Sequence, residues 1–266
     1  GGQAGSHFAG VGLGVVVERV GERIGEYGGT LRVIRGCADM GGFWLLSDLL
    51  IRRDINGDTA VPAIAKSWEA SADWKTWTIH LREGMKWSDG SPFTAHDFVW
   101  AVDEVARNTD LYPDKRQGKL GTAGAGAYGG LMGVGDIELV DDYTFQYKLV
   151  NPEPNFPREI GSLGYWGYQR AAWQGGYALY LPSAYLKQFH PKFADQATLD
   201  QMVEDSGFDD WMGLFRSKAN TANIDSPVVT SHMIVDDTPG NTIYERNPYY
   251  FAVDPEGNQL PYIDAI

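Results

Sequence analysis

One stretch of the chain, Val61 to Trp100, leaves little freedom in what it can fold into. Between Trp77 and Arg82 the apolar residues Trp77, Ile79 and Leu81 alternate with Thr78, His80 and Arg82, the period of a strand with one buried face. Ser88-Asp89-Gly90-Ser91-Pro92 follows with turn chemistry: Gly90 is free to take positive φ and Pro92 cannot continue a ladder. Thr94 is then placed to cap a helix, with Asp97 in the first turn where a carboxylate meets the positive end of the helix dipole. Phe98, Ala101, Val102 and Val105 fall on one face of that helix. Strand, turn and helix thus form one small unit.

Further patterns extend it. Ile137-Glu138-Leu139-Val140 and Tyr143 to Leu149 alternate around Asp141-Asp142, a hairpin in which Tyr143, Phe145 and Tyr147 pack as sheet residues. His232 to Val235 and Thr242 to Glu245 flank Thr238-Pro239-Gly240-Asn241, which predicts a second hairpin. Thr30 to Arg35 reads as a short strand. Leu181 to Leu186 opens a helix, and Leu199 to Arg216 reads as one amphipathic helix. Near the start, Val16, Val20 and Ile24 offer the stripe of a short helix that Gly21 and Gly25 weaken. The single cysteine, Cys37, follows an apolar strand and is expected to be a buried, inert thiol.

The run from Pro62 to Val99 resembles the signature of the bacterial extracellular solute-binding proteins of family 5. It carries P-x-I-A-x-S-W at Pro62 to Trp68, then the strand. L-R-x-G-x-x-W-x-D-G-x-P-F-T-A-x-D follows from Leu81 to Asp97. Ile64 stands where the family has Leu, and His96 precedes Asp97. Ala184 to Pro191, Asn247-Pro248-Tyr249-Tyr250 and Gly257 to Asp264 are similar to later segments of one subgroup. The resemblance implies a mixed α/β fold of periplasmic-binding-protein type. On this reading the chain is lobe I with an inserted subdomain, and the second lobe is absent, because Ile266 stands about where family members cross over to it. The implied organisation is an amino-terminal extension over 1–26, main-sheet segments over 27–42 and 225–266, and an inserted subdomain over 43–224.

The resemblance also implies a function. It is that of the substrate-binding receptor of an ABC importer, capturing oligopeptides or, as the alternative, oligosaccharides, and doing no chemistry on them. The expected partners are the solute, a membrane permease and the missing lobe. The expected location is the periplasm or the cell surface. Candidate ligand-binding residues follow from the loops that would face the cleft. In Asp39-Met40-Gly41-Gly42-Phe43-Trp44, paired glycines admit a ligand's approach, and Asp39, Phe43 and Trp44 could touch it, although Phe43 and Trp44 also suit the apolar face of a helix. Tyr165 and Trp166 are loop aromatics able to stack on a sugar or peptide side chain, or to pack structurally. Ser226 to His232 replaces the family's glycine-proline element at the cleft, with Ser231 as its candidate.

Other chemistries find little footing. The formal net charge of −13 disfavours nucleic acid and anionic lipid surfaces. Asp54 to Asp58 superficially resembles a calcium loop but meets Ala63 where its closing Glu belongs, so no metal is expected. Gly124 to Gly129 is a formal G-x-G-x-x-G without the strand and helix a dinucleotide needs, and no cofactor is expected. No nucleophile or zinc motif occurs. The adjacent carboxylates Asp209-Asp210 and Asp236-Asp237 read as solvated surface, which leaves a carboxylate-based glycosidase as the enzyme alternative. The stretch Val11 to Val17 is too short to span a membrane and lacks the basic region of a secretory leader.

Overall fold

The computed structural model of the protein describes residues 15–16, 24–33, 48–53, 59–111, 134–162, 179–220 and 223–266. Its centre is an antiparallel sheet of four strands. These are β4 (Ala65–Ala70), β5 (Thr76–Leu81), β6 (Val134–Asp141) and β7 (Thr144–Leu149), in the order β4-β5-β7-β6. The alternation read from the sequence sets its faces: Trp77, Ile79 and Leu81 of β5 and Phe145, Tyr147 and Leu149 of β7 are buried, while the residues between them are half-buried. Trp77 pairs with Tyr147 and Ile79 with Phe145, so both strands present their large apolar side chains to the same side. A slip of one residue would turn every one of them outward. The hairpin β6–β7 closes at Asp141, whose Oδ1 accepts the Tyr143 N–H at 2.8 Å.

Over this face lies α1 (Ala95–Trp100), which continues as a π-helical stretch, Ala101–Ala106. Phe98 stacks on Phe145 with ring centroids 4.6 Å apart. The four residues expected on one helical face are all buried, but the structure divides them. Phe98 and Val102 enter the sheet core, whereas Ala101 and Val105 join a second core with Trp100, Leu181, Leu186, Phe189, Leu199, Leu214 and Phe215. The reason is that this helix is covered on two sides, so its apolar surface is wider than a single stripe.

The second core is helical. After α2 (Phe156–Ser162), whose Phe156 and Ile160 join the sheet core, it is built by α3 (Ser183–Leu186) with the 3-10 turn Lys187–Phe189, and by α4 (Gln196–Ser206) and α5 (Trp211–Lys218). The helix expected from Leu199 to Arg216 is therefore two helices. Gly207 takes φ +69°, the left-handed conformation that ends α4, and Asp210 then caps α5, its Oδ1 accepting the Gly213 N–H at 2.8 Å. Asp195 caps α4 in the same way through Thr198. Apolar spacing alone carried the pattern across this break.

The remaining strands are short. β2 (Ile51–Arg53) pairs with β3 (Ala60–Pro62), and β8 (His232–Thr238) forms the expected hairpin with β9 (Asn241–Arg246), turning at Gly240 with φ +87°. Ala265 pairs antiparallel with Glu245 of β9 and parallel with Thr30. The strand expected over Thr30 to Arg35 is reduced to this bridge, with the Leu31 N–H donating to the Ala265 carbonyl at 2.9 Å; residues beyond Val33 lie outside the described ones. Val15–Val16 forms a strand, β1, paired in parallel with β10 (Ala252–Val253), while most of the helical stripe expected from Val16 to Ile24 lies outside the described residues.

Candidate functional site

The signature turn is a tight hairpin. The Trp87 N–H donates to the Ser91 carbonyl and the Phe93 N–H to that of Met85, both at 2.9 Å. Asp89 Oδ1 accepts from the Ser91 N–H at 2.9 Å and its hydroxyl at 2.6 Å, and Gly90 sits at φ +86°. That φ favours glycine, and a Cβ there would also come within 3.2 Å of the Tyr249 hydroxyl.

Behind the turn lies a buried carboxylate. Asp97 is 3% exposed. Its Oδ2 accepts from Trp87 Nε1 and from the Thr94 N–H, each at 3.1 Å, completing the capping box. Its Oδ1 accepts from the Ser183 N–H at 3.1 Å and the Ser183 hydroxyl at 2.7 Å. Burial pushes the Asp97 carboxyl up, against the pull of the hydrogen bonds from Ser183, Thr94 and Trp87. One side chain thus joins the turn, α1 and α3. The spacing identified Asp97 as a helix-start residue; the partnership with Ser183, 86 residues away, carries no local signal.

The front of the turn meets the segment 226–232. The Ser88 N–H donates to the Val228 carbonyl at 2.8 Å, and the Val228 N–H donates back to Ser88 Oγ at 3.0 Å. Asn247, fully buried, holds the same segment from the other side. Its Nδ2 donates to the Thr230 carbonyl at 2.9 Å, its N–H to the Ser231 carbonyl at 2.9 Å, and its Oδ1 accepts the Tyr249 N–H at 2.9 Å. This explains the Asn-Pro-Tyr-Tyr motif physically: the asparagine satisfies the backbone of a segment that belongs to no sheet.

Ser231 is half-buried, with Oγ 3.1 Å from His232 Nδ1. His232 is buried, and its Nε2 lies 3.2 Å from the Ile263 carbonyl, which makes Nε2 the protonated nitrogen and Nδ1 the acceptor of the serine hydroxyl. Burial holds this imidazole below its usual pKa. A groove of about 180 Å³ runs alongside, between Ser88-Asp89, residues 223–228 and Met233-Ile234.

Two further clusters are structural. Arg52 pairs with buried Asp48 and reaches the Tyr250 hydroxyl at 3.5 Å; the Asp48 charge holds the guanidinium pKa up. Asp254 accepts from the Glu256 and Asn258 N–H groups at 2.9 and 2.8 Å and from Asn258 Nδ2 at 2.9 Å, closing the Gly257 turn of the segment that runs to Asp264.

Of the candidates named from the sequence, Ser231 lies within the described structure. Asp39, Phe43, Trp44, Tyr165 and Trp166 lie outside the described residues, as do Cys37, the Asp54 to Asp58 loop and Gly124 to Gly129. Among the described residues no group of three or more His, Cys, Asp or Glu side chains converges to hold a metal ion, and no helix is long and apolar enough to cross a membrane. Asp210 serves as a helix cap and Asp237 accepts from the Thr242 hydroxyl at 2.6 Å, so each acidic pair has one member with a local structural role.

Signature hairpin, capped helix, four-stranded sheet and carboxyl-terminal motifs together define a lobe of a solute-binding protein. The profile described as bacterial extracellular solute-binding proteins, family 5 Middle, matches residues 59–266, and the chain belongs to that family. Among its relatives is the periplasmic alpha-galactoside-binding protein of Rhizobium meliloti (strain 1021), 31% identical over 209 residues, a match covering 77% of this chain and 25% of that protein. The periplasmic oligopeptide-binding protein OppA of Salmonella typhimurium is 36% identical over 124 residues, 42% of this chain and 21% of OppA. In structure, an oligopeptide-binding protein OppA superposes with a TM-score of 0.76 at 34% identity, over 94% of this chain and 36% of its own. The periplasmic binding protein MelB of Agrobacterium fabrum C58, solved with stachyose, gives 0.63 at 26% identity, over 91% of this chain and 34% of its own. The chain has the mixed α/β fold of OppA and spans about a quarter of the length of the curated relatives it matches.

Proposed function

We propose that the chain forms one side of the solute cleft in the substrate-binding receptor of an ABC importer, working outside the cytoplasmic membrane and carrying oligopeptides to a permease without chemistry on them. The observation that carries this reading is the 34% identity and TM-score of 0.76 with OppA over 94% of the chain. In this reading residues 27–42 and 225–266 belong to the main sheet of the lobe and 43–224 form the inserted subdomain. Asp39, Phe43, Trp44, Tyr165, Trp166 and Ser231 face the ligand. Transport requires closure of a second lobe over the solute, and a ligand promotes closure only by touching both lobes.

An oligosaccharide receptor is the second reading, favoured by the 209-residue match to the alpha-galactoside-binding relative and by the stachyose complex of MelB. Thermal denaturation of the natural protein carrying this sequence separates the two. A ligand at about a hundred times its Kd adds roughly 2.7 kcal/mol. Stabilisation by mixed tripeptides and not by stachyose establishes the peptide receptor; the reverse establishes the second reading. Hydrolysis of either compound defeats both.

A further inference from the structure

The groove beside the signature turn is shaped and charged for one kind of occupant. Its floor is apolar: Val228, Met233 and Ile234 line it, and Ile224 stands 50% exposed at its edge. Two carboxylates, Asp89 and Asp225, stand at its rim, and no Lys or Arg is among the described residues that line it. Asp89 uses Oδ1 within its own turn and leaves Oδ2 without a partner among the described residues. Asp225 is ion-paired with Lys218, whose Nζ lies 3.8 Å from Oδ2, and its side chain stays 66% exposed to a second cation.

The walls are already fixed. The reciprocal Ser88–Val228 bonds join the turn to the far wall. Asn223 sets the rim: its Nδ2 donates to the Tyr185 hydroxyl at 2.9 Å and the Lys218 carbonyl at 3.1 Å, and its Oδ1 accepts the Asp225 N–H at 3.2 Å. A rigid site loses little entropy on binding. Its volume of about 180 Å³ falls below the roughly 300 Å³ at which whole small-molecule pockets begin. The space suits one side chain of a larger ligand.

We propose that this groove receives a lysine-type side chain of the transported peptide, its methylenes lying on Met233 and Ile234 and its ammonium between Asp89 and Asp225. The assignment rests on the receptor reading above and narrows it to peptides with a basic residue. An alkylammonium matches both features, since its stem buries apolar surface while its head keeps charge-assisted hydrogen bonds at the wet rim. A neutral aliphatic side chain would leave Asp89 Oδ2 to solvent, and a carboxylate would be repelled.

The test uses pentylamine and its neutral counterpart pentan-1-ol, read by methyl resonances of Ile224, Met233 and Ile234, followed by calorimetry with Ala-Lys-Ala and Ala-norleucine-Ala. Pentylamine is expected to shift those methyls at a concentration about tenfold lower than pentan-1-ol. Asp89→Asn with Asp225→Asn is expected to abolish that preference while leaving the melting temperature in place, since the amide that replaces the Asp89 carboxylate retains an oxygen to accept from Ser91. Equal effects of the two probes, or shifts elsewhere, overturn the proposal. If tripeptides bind without preference for lysine, the groove assignment fails and the receptor reading stands. If pentylamine binds as expected and no tripeptide binds, the groove is a cation site and the peptide reading fails.

Discussion

The sheet core and the helical core share one helix and are held together by different means. In the sheet core a helix ring stacks on a strand ring, Phe98 on Phe145 at 4.6 Å, and a buried carboxylate ties the helix to the turn. In the helical core the central ring has no such stacked partner: Phe215 stands 6.0 to 6.3 Å from His190, Trp211 and Trp100. Its precision comes from caps at Asp195 and Asp210 and from one buried imidazole. A core made of alternating strands gains most of its definition from packing. One made of short helices depends more on the polar groups that end and orient them.

Truncating the central ring of each core sharpens that contrast most. Phe98→Ala is expected to cost about 4 kcal/mol in urea unfolding and Phe215→Ala about 3 kcal/mol, the closer-packed ring leaving the cavity that relaxes less. Equal losses would break the comparison. Removing the buried carboxylate comes next. Asp97→Ala strands donors from Trp87, Thr94 and Ser183 and is expected to cost about 3 kcal/mol, whereas a loss below about 0.5 kcal/mol would mean the clamp is ornamental.

The smallest effect belongs to the helical core's imidazole. His190 is buried among Trp100, Phe193, Trp211 and Phe215, and its Nε2 lies 3.1 Å from Asn108 Nδ2. Burial lowers its pKa; Glu104 and Asp110 oppose this and Lys192 adds to it. The unfolded chain therefore takes up the proton first as pH falls below about 6.5. Stability is full above that value and declines beneath it. Melting temperatures from about pH 7.5 to about pH 5 should show this decline, and His190→Gln should flatten it. An unchanged slope would assign the decline to His232, the other buried histidine whose pKa is lowered by burial.

Much of the sheet core was legible beforehand because a period of two writes burial directly into residue order. Trp77, Ile79, Leu81, Phe145 and Tyr147 all lie where that period places them. The Thr94 cap and both hairpins were equally local. The helical core was less so: an apolar stripe runs across Ser206-Gly207-Phe208 without marking the break, and Gly207 with Asp210 was the available signal. The candidate site divides along the same line. Ser231 follows from its place in the family order, whereas the grip of Asn247 on its backbone, the bond from its hydroxyl to His232 and the groove beside it arise from contacts between distant segments. No periodicity records those.

The reciprocal Ser88–Val228 bond has a consequence for how the chain assembles. It joins residues 140 positions apart, whereas the strand, turn and helix behind Ser88 are complete within the span Thr76 to Trp100. Contacts of short sequence separation form at lower entropic cost and so sooner, and long-range closures follow. The groove is then the last part of this region to close during folding. In refolding, protection of the Ser88 and Val228 amides against exchange should accordingly lag that of the Ile79 amide, so that the groove is assembled on a scaffold already finished without it.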